Sequence, residues 1–164
     1  MNAVPILITP LSTNPRTSLA RVTRALLDIN VLIALLDSDH VDHQRVRGWV
    51  GAEIVHGWAS CAITQNGFVR IISQPRYPSP VPPARAIGRL ARAAATEHHE
   101  YCPCSVSLLD DELIDYSRLH GHRQVTDAYL LALATANGGR FATLDQSIPL
   151  DAVRNASAAN LTLI

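Results

Sequence analysis

An α/β fold, with one parallel sheet covered on both faces, is predicted by three features of this chain. Short apolar runs alternate with helical patterns from residue 25 onward. The runs are apolar throughout rather than every second residue, as in strands buried on both faces. The length of 164 residues suits one domain, able to bury roughly two-thirds of its unfolded surface without staples.

In chain order, Ala25-Leu26-Leu27 reads as a strand ending at Asp28, and residues 31–36 as a mostly buried helix. Residues 41–52 are amphipathic, with Val46, Trp49 and Val50 on one face. Residues 58–63 read as a strand, after which Thr64 is placed to cap a helix carrying Phe68, Val69, Ile71 and Ile72. Pro75, Pro78, Pro80, Pro82 and Pro83 mark a loop, the last suited to the first turn of a helix over residues 84–96. On that helix Arg85, Arg89 and Arg92 form a stripe opposite Ile87, Leu90, Ala91 and Ala94. Residues 101–106 read as a strand and residues 111–119 as a short polar helix. Gln124 or Thr126 opens an apolar helix that Gly138-Gly139 stops. Residues 140–144 form a strand ending at Asp145, and residues 161–164 a last one. Neither internal repeats nor a second domain are evident.

Composition narrows the function. Hydrophobic residues make up 48% and charged residues 17%, which disfavours disorder. Fourteen basic residues, all arginine, balance fourteen acidic ones, so no overall field draws the chain to polyanions and any such ligand needs a local patch. Cys61, Cys102 and Cys104 are too few and odd in number for a secreted disulfide framework, which favours the cytosol. The longest apolar run, residues 26–36, is broken by Asp28 and Asn30 and falls short of the roughly 20 residues that span a bilayer; no membrane association is expected. Residues 1–21, rich in Pro, Ser, Thr and Asn, read as a flexible tail with no signal-peptide pattern, or as an upstream extension of a chain starting at Val22. The folded domain is then residues 22–164.

In open α/β sheets ligands bind beyond the carboxyl ends of the strands. Asp28 and Asp145 lie at two such ends, and Asp127 starts the helix leading into the second. Each is set among apolar neighbours, and converging buried carboxylates is costly unless a cation compensates. An oxygen-rich site selects a hard ion such as Mg²⁺ or Mn²⁺. Local roles also suit them: Asp28 as a helix cap, Asp127 in the positive first turn of its helix, Asp145 at a turn.

Taken together, the segments from Arg24 to Asp37 with His40, Thr64-Gln65-Asn66-Gly67-Phe68-Val69-Arg70-Ile71, Val125-Thr126-Asp127-Ala128-Tyr129-Leu130, and Phe141-Ala142-Thr143-Leu144-Asp145 resemble, in order, the motifs of PIN-domain proteins. Within that family they look most similar to the VapC-type ribonuclease toxins of toxin–antitoxin pairs, over about residues 22–150. The resemblance implies a three-layer α/β/α fold with a parallel sheet in the order 3-2-1-4-5. It implies a Mg²⁺-dependent endoribonuclease (Mn²⁺ also serving) acting on structured RNA. Asp28 and Asp127 would bind the metal, Asp145 would complete the catalytic cluster, and Gln65, Thr126 and Thr143 would support it. It further implies a small antitoxin partner and a homodimer. Gln65 stands where the resemblance expects glutamate, which predicts weaker metal affinity and keeps a non-catalytic RNA- or protein-binding module as the alternative. No Asp-x-Asp after the first strand and no Gly-rich phosphate loop point to another phosphoryl-transfer fold.

Arg123 and Arg70 are candidates for RNA phosphate contacts, as is the stripe on residues 84–96. The run His98-His99-Glu100-Tyr101-Cys102-Pro103-Cys104 lacks the usual two separated ligand pairs of a zinc site and reads better as a strand with small apolar thiols.

Overall fold

A computed structural model describes residues 24–164; the expected tail over residues 1–21 lies outside the described residues. Five short strands, β1 (Ala25–Leu27), β2 (Trp58–Ser60), β3 (His99–Tyr101), β4 (Arg140–Thr143) and β5 (Leu161–Leu163), form one sheet. Their order is β3-β2-β1-β4-β5 and every neighbouring pair is parallel, the predicted 3-2-1-4-5. Helices α1 (Ile29–Leu36), α2 (His43–Glu53), α3 (Ala62–Ile72) and α4 (Pro83–Ala94) cover one face, and α5 (Gln124–Ala136) the other.

The strands divide their side chains between two cores with the period of two that a pleat imposes. Ala25, Leu27, Trp58 and Ala142 pack with Val31, Leu32, Phe68 and Leu90 on the four-helix side. Leu26, Ala59 and Phe141 pack against Leu130, Leu131 and Leu133 of α5. The continuous apolar runs in the sequence follow directly from this double burial.

Three elements differ from expectation. Strand β2 stops at Ser60 because Cys61 caps α3: Thr64, expected as the cap, sits one turn inside the helix, its Oγ1 accepting from the Cys61 N–H at 3.0 Å. Strand β3 covers His99–Tyr101 rather than starting at Tyr101, since Pro103 has no N–H to continue the ladder. The expected helix over residues 111–119 is reduced to a 3₁₀ turn, Tyr116–Arg118. There Asp110 and Asp115 carboxylates accept from the N–H groups of Glu112 and Ser117, at 3.1 and 3.2 Å, so side chains compete with helical bonding.

α3 and α1 meet at Gly67. A Cβ built there would lie 2.3 Å from Ile29 Cδ1 and 2.7 Å from its Cγ1. We expect Gly67→Ala to lower stability by about 1–3 kcal/mol through overpacking, measured as a reduced urea midpoint at unchanged slope. A midpoint at or above that of the native chain contradicts close packing here.

Candidate active site

The chain leaves β1 toward β2 on one side and returns through β4 on the other, so β1 and β4 flank the switch point where α/β sheets place ligands. Asp28 follows β1 directly and Asp145 lies two residues beyond β4.

Asp28 is buried, 6% exposed. Its Oδ1 accepts from the Ile29 N–H at 2.6 Å, so it does cap α1. Its Oδ2 accepts from the Thr143 hydroxyl at 2.7 Å. Burial pushes the Asp28 carboxyl above its ordinary pKa, opposed by the bonds from Thr143 and Ile29. The cap and the cleft position are thus one geometry: the same carboxylate starts the helix and presents its second oxygen at the strand ends.

Thr143, fully buried, organises the corner. While donating to Asp28, its Oγ1 accepts from Asn30 Nδ2 at 3.1 Å and from the Asp145 N–H at 3.1 Å. Asn30 Oδ1 in turn accepts from the Leu144 N–H at 3.2 Å. Asn30 therefore ties the start of α1 to the end of β4. In the sequence Asn30 reads only as a break in an apolar run; its signal is an amide two residues after Asp28, on the helix turn facing the same strand end.

Asp127 lies in the first turn of α5, half-buried, and its carboxylate has no hydrogen-bond partner among the described residues. Burial, then the negative charges of Asp28 and Asp145, push its pKa up to about 6. Asp145 is exposed; Ser147 bonds its Oδ1 through the backbone N–H at 2.8 Å and the hydroxyl at 2.6 Å. Those bonds hold it below the usual carboxylate range, with the Arg123 guanidinium adding a weaker attraction. Arg123 is itself exposed at the start of α5.

The structure therefore brings Asp28, Asp127, Asp145, Thr143 and Arg123 to one end of the sheet. Gln65 is directed elsewhere: its Nε2 donates to Ser60 Oγ at 2.9 Å, and no described hydrogen bond joins it to the three aspartates. The residue of α3 that packs against Ile29, which follows Asp28 in the chain, is Gly67. Thr126 is exposed and lines a groove with Ile29, Asn66 and Arg70. His99 of the Cys/His run lies tilted against Trp58, ring centroids 4.4 Å apart, and bonds Ser60; Cys102 is buried.

Among the described residues, no three His, Cys, Asp or Glu side chains are gathered closely enough to hold an ion. The donor set nonetheless fits one in kind. It contains carboxylate oxygens only, close enough that Asp28 and Asp145 both raise Asp127, and hard divalent ions take such ligands.

A parallel sheet in this order, with isolated aspartates at its switch point, defines a class. The PIN-domain model matches residues 25–154, and the chain belongs to the PIN-domain family. Among individual proteins, it is 64% identical over 141 residues to Ribonuclease VapC44 of Mycobacterium tuberculosis, an alignment spanning 86% of this chain and 99% of that protein. Ribonucleases VapC38 and VapC39 of the same organism are 42% and 39% identical over 125 residues, 76% of this chain and 86% and 90% of theirs. Among the described residues no helix is long and apolar enough to cross a membrane.

Proposed function

We propose that the chain is a divalent-metal-dependent endoribonuclease, the toxin half of a toxin–antitoxin pair, cutting structured RNA in the cytosol as a homodimer held in check by a small antitoxin. The observation that carries the reading is Asp127, a half-buried carboxylate without a hydrogen-bond partner among the described residues, raised to about pH 6 beside two other carboxylates. Such an arrangement is costly without a cation. The relatives' names supply the reaction class.

Asp28 and Asp127 would hold the ion, with Asp145 joining directly or through water. The chemistry a divalent ion would supply there is a more acidic attacking water and neutralisation of charge on the phosphate oxygens. The chain's residues do the positioning. Thr143 and the Ile29 N–H fix the Asp28 carboxylate, and Asn30 and the Asp145 N–H hold Thr143 in turn. Arg123, exposed at the start of α5 and near enough to attract Asp145, would meet a substrate phosphate at the cleft. The nuclease domain would be residues 22–164.

The test is cleavage of an RNA substrate by purified protein with EDTA, then with Mg²⁺ or Mn²⁺ restored. EDTA should abolish cutting and either ion should return it; cutting that persists in EDTA refutes metal dependence. Arg123→Ala should weaken RNA binding and flatten the plot of log affinity against log salt by about one phosphate contact, a slope change near 0.7–0.9. An unaltered slope removes Arg123 from the RNA path.

A further inference from the structure

Two grooves meet on α3. One, of about 400 Å³, starts beside the acidic cleft at Ile29 and Thr126, the neighbours of Asp28 and Asp127, and runs past Asn66 to Arg70. The other, of about 650 Å³, lies between α3 and α4, with Gln65, Leu90, Ala94 and Tyr101 in its walls. Ala62, Asn66 and Arg70 line both, so the path from the carboxylates into the larger groove is continuous. Its volume lies within the roughly 300–1,000 Å³ usual for ligand sites.

The chemistry of this path is selective. Arg70 is the single charged residue lining either groove, is exposed, and has no ion pair among the described residues. The large groove is apolar along α4 and carries one accessible aromatic ring, Tyr101, 49% exposed. The arginine stripe of α4 points the other way, since residues 85, 89 and 92 lie on the helix face opposite Leu90 and Ala94.

Gln65 enters this groove with a fixed end. His99 Nε2 lies 2.8 Å from the Ser60 hydroxyl oxygen. With the proton on Nδ1, His99 Nε2 accepts from the hydroxyl. The same hydroxyl oxygen accepts from Gln65, whose Nε2 donates to it at 2.9 Å. This leaves the Gln65 carbonyl oxygen without a partner among the described residues, in a wall of the groove.

We propose that the α3–α4 groove is a subsite for an unpaired nucleotide of the RNA substrate, flanking the phosphodiester at the acidic cleft. Tyr101 stacks on the base, the Gln65 carbonyl accepts a hydrogen bond from a base N–H, and Arg70 meets the adjoining phosphate. Ser60 and His99 are positioning residues for the Gln65 amide. RNA is the occupant because the groove opens directly from the phosphodiester site and its one charge is a cation. The proposal rests on the ribonuclease reading and deepens it.

The experiment measures binding of labelled single-stranded RNA oligonucleotides, varied at one position, to full-length Asp127→Asn protein, alongside cleavage of the same series by the native chain. Tyr101→Ala should weaken binding about 5- to 100-fold, the range for loss of one stacked base. Arg70→Ala should lower the salt slope by about 0.7, one single-strand phosphate contact. Gln65→Leu and Ser60→Ala should alter the base preference at one position while the salt slope holds. Tyr101, Arg70 and Gln65 line the groove while Ser60 is buried behind Gln65, and thermal denaturation checks that each variant is folded. His99→Gln, which keeps an acceptor for Ser60, should retain the base preference that His99→Phe loses.

If native protein cuts RNA while Tyr101→Ala and Gln65→Leu bind and discriminate as the parent does, the groove proposal is overturned and the ribonuclease reading stands. Loss of binding to a protein partner, with RNA binding intact, likewise overturns it. Native protein that neither binds nor cuts RNA overturns both.

Discussion

Asp28→Asn and Asp127→Asn should each reduce RNA cleavage by about 10²–10⁴-fold, the scale of losing a principal catalytic group, while the protein stays folded. For Asp127 the substitution should also stabilise the metal-free chain at neutral pH. Its carboxyl titrates near 6 in the fold against about 3.9 in an unfolded chain. Between these values the folded state binds the proton more tightly, so stability falls as pH rises from about 4 to about 6 and is level above. A shift of that size corresponds to nearly 3 kcal/mol. Solvent screening of a half-buried group and the favourable charge at a helix start reduce this to about 1–2 kcal/mol. Asp127→Asn should remove that slope and gain this amount at pH 7 in EDTA; urea melts across pH 4–8 measure it. Mg²⁺ should stabilise the native chain and not the variant. Full cleavage by both variants would eliminate this cleft as the active site.

The second large effect is expected at Thr143. Valine keeps the β-branched shape but removes the hydroxyl that donates to Asp28 and accepts from Asn30 and the Asp145 N–H. Asp28 is then a buried carboxylate missing its side-chain donor, and the Asn30 amide loses an acceptor. At about 1–3 kcal/mol for each buried partner left unsatisfied, and with the Asp145 N–H free to take water, Thr143→Val should cost about 2–4 kcal/mol at pH 7. Because burial already raises the Asp28 carboxyl, the deficit should shrink as the pH falls and Asp28 takes up a proton. Cleavage should drop about 10- to 100-fold, as for loss of an outer-sphere partner of a ligand. Thr143→Ser should recover most of both. A valine variant within 0.5 kcal/mol of the parent at neutral pH would show that the hydroxyl does not hold this corner.

Much of this molecule could be read without coordinates. Double-faced burial writes itself into a chain as continuous apolar runs, so Ala25-Leu26-Leu27 and Phe141-Ala142 were recognisable as central strands. An aspartate just after such a run stood out because few other polar groups surround it. The α4 helix was legible from Pro83 and its amphipathic spacing. What misled was local competition. Residues 111–119 have helical composition, yet Asp110 and Asp115 capture backbone N–H groups and Ile114 bridges to Val153, a partner far along the chain. Thr64 is a good cap residue in isolation, but the strand pairing that ends at Ser60 starts the helix three residues earlier.

The side-chain directions were decided by the fold alone. Period and propensity state which residues are polar and on which element, so the sequence by itself determined the α/β class, most of its elements and the candidacy of the three aspartates. Only the tertiary structure could decide that Asn30 meets Thr143 across 113 positions of chain, or that Gln65 turns to Ser60 and His99 while Gly67 faces Ile29. Such pairings depend on how strands distant in the chain come into register, and hydrogen-bond geometry is fixed to within fractions of an ångström only once they do.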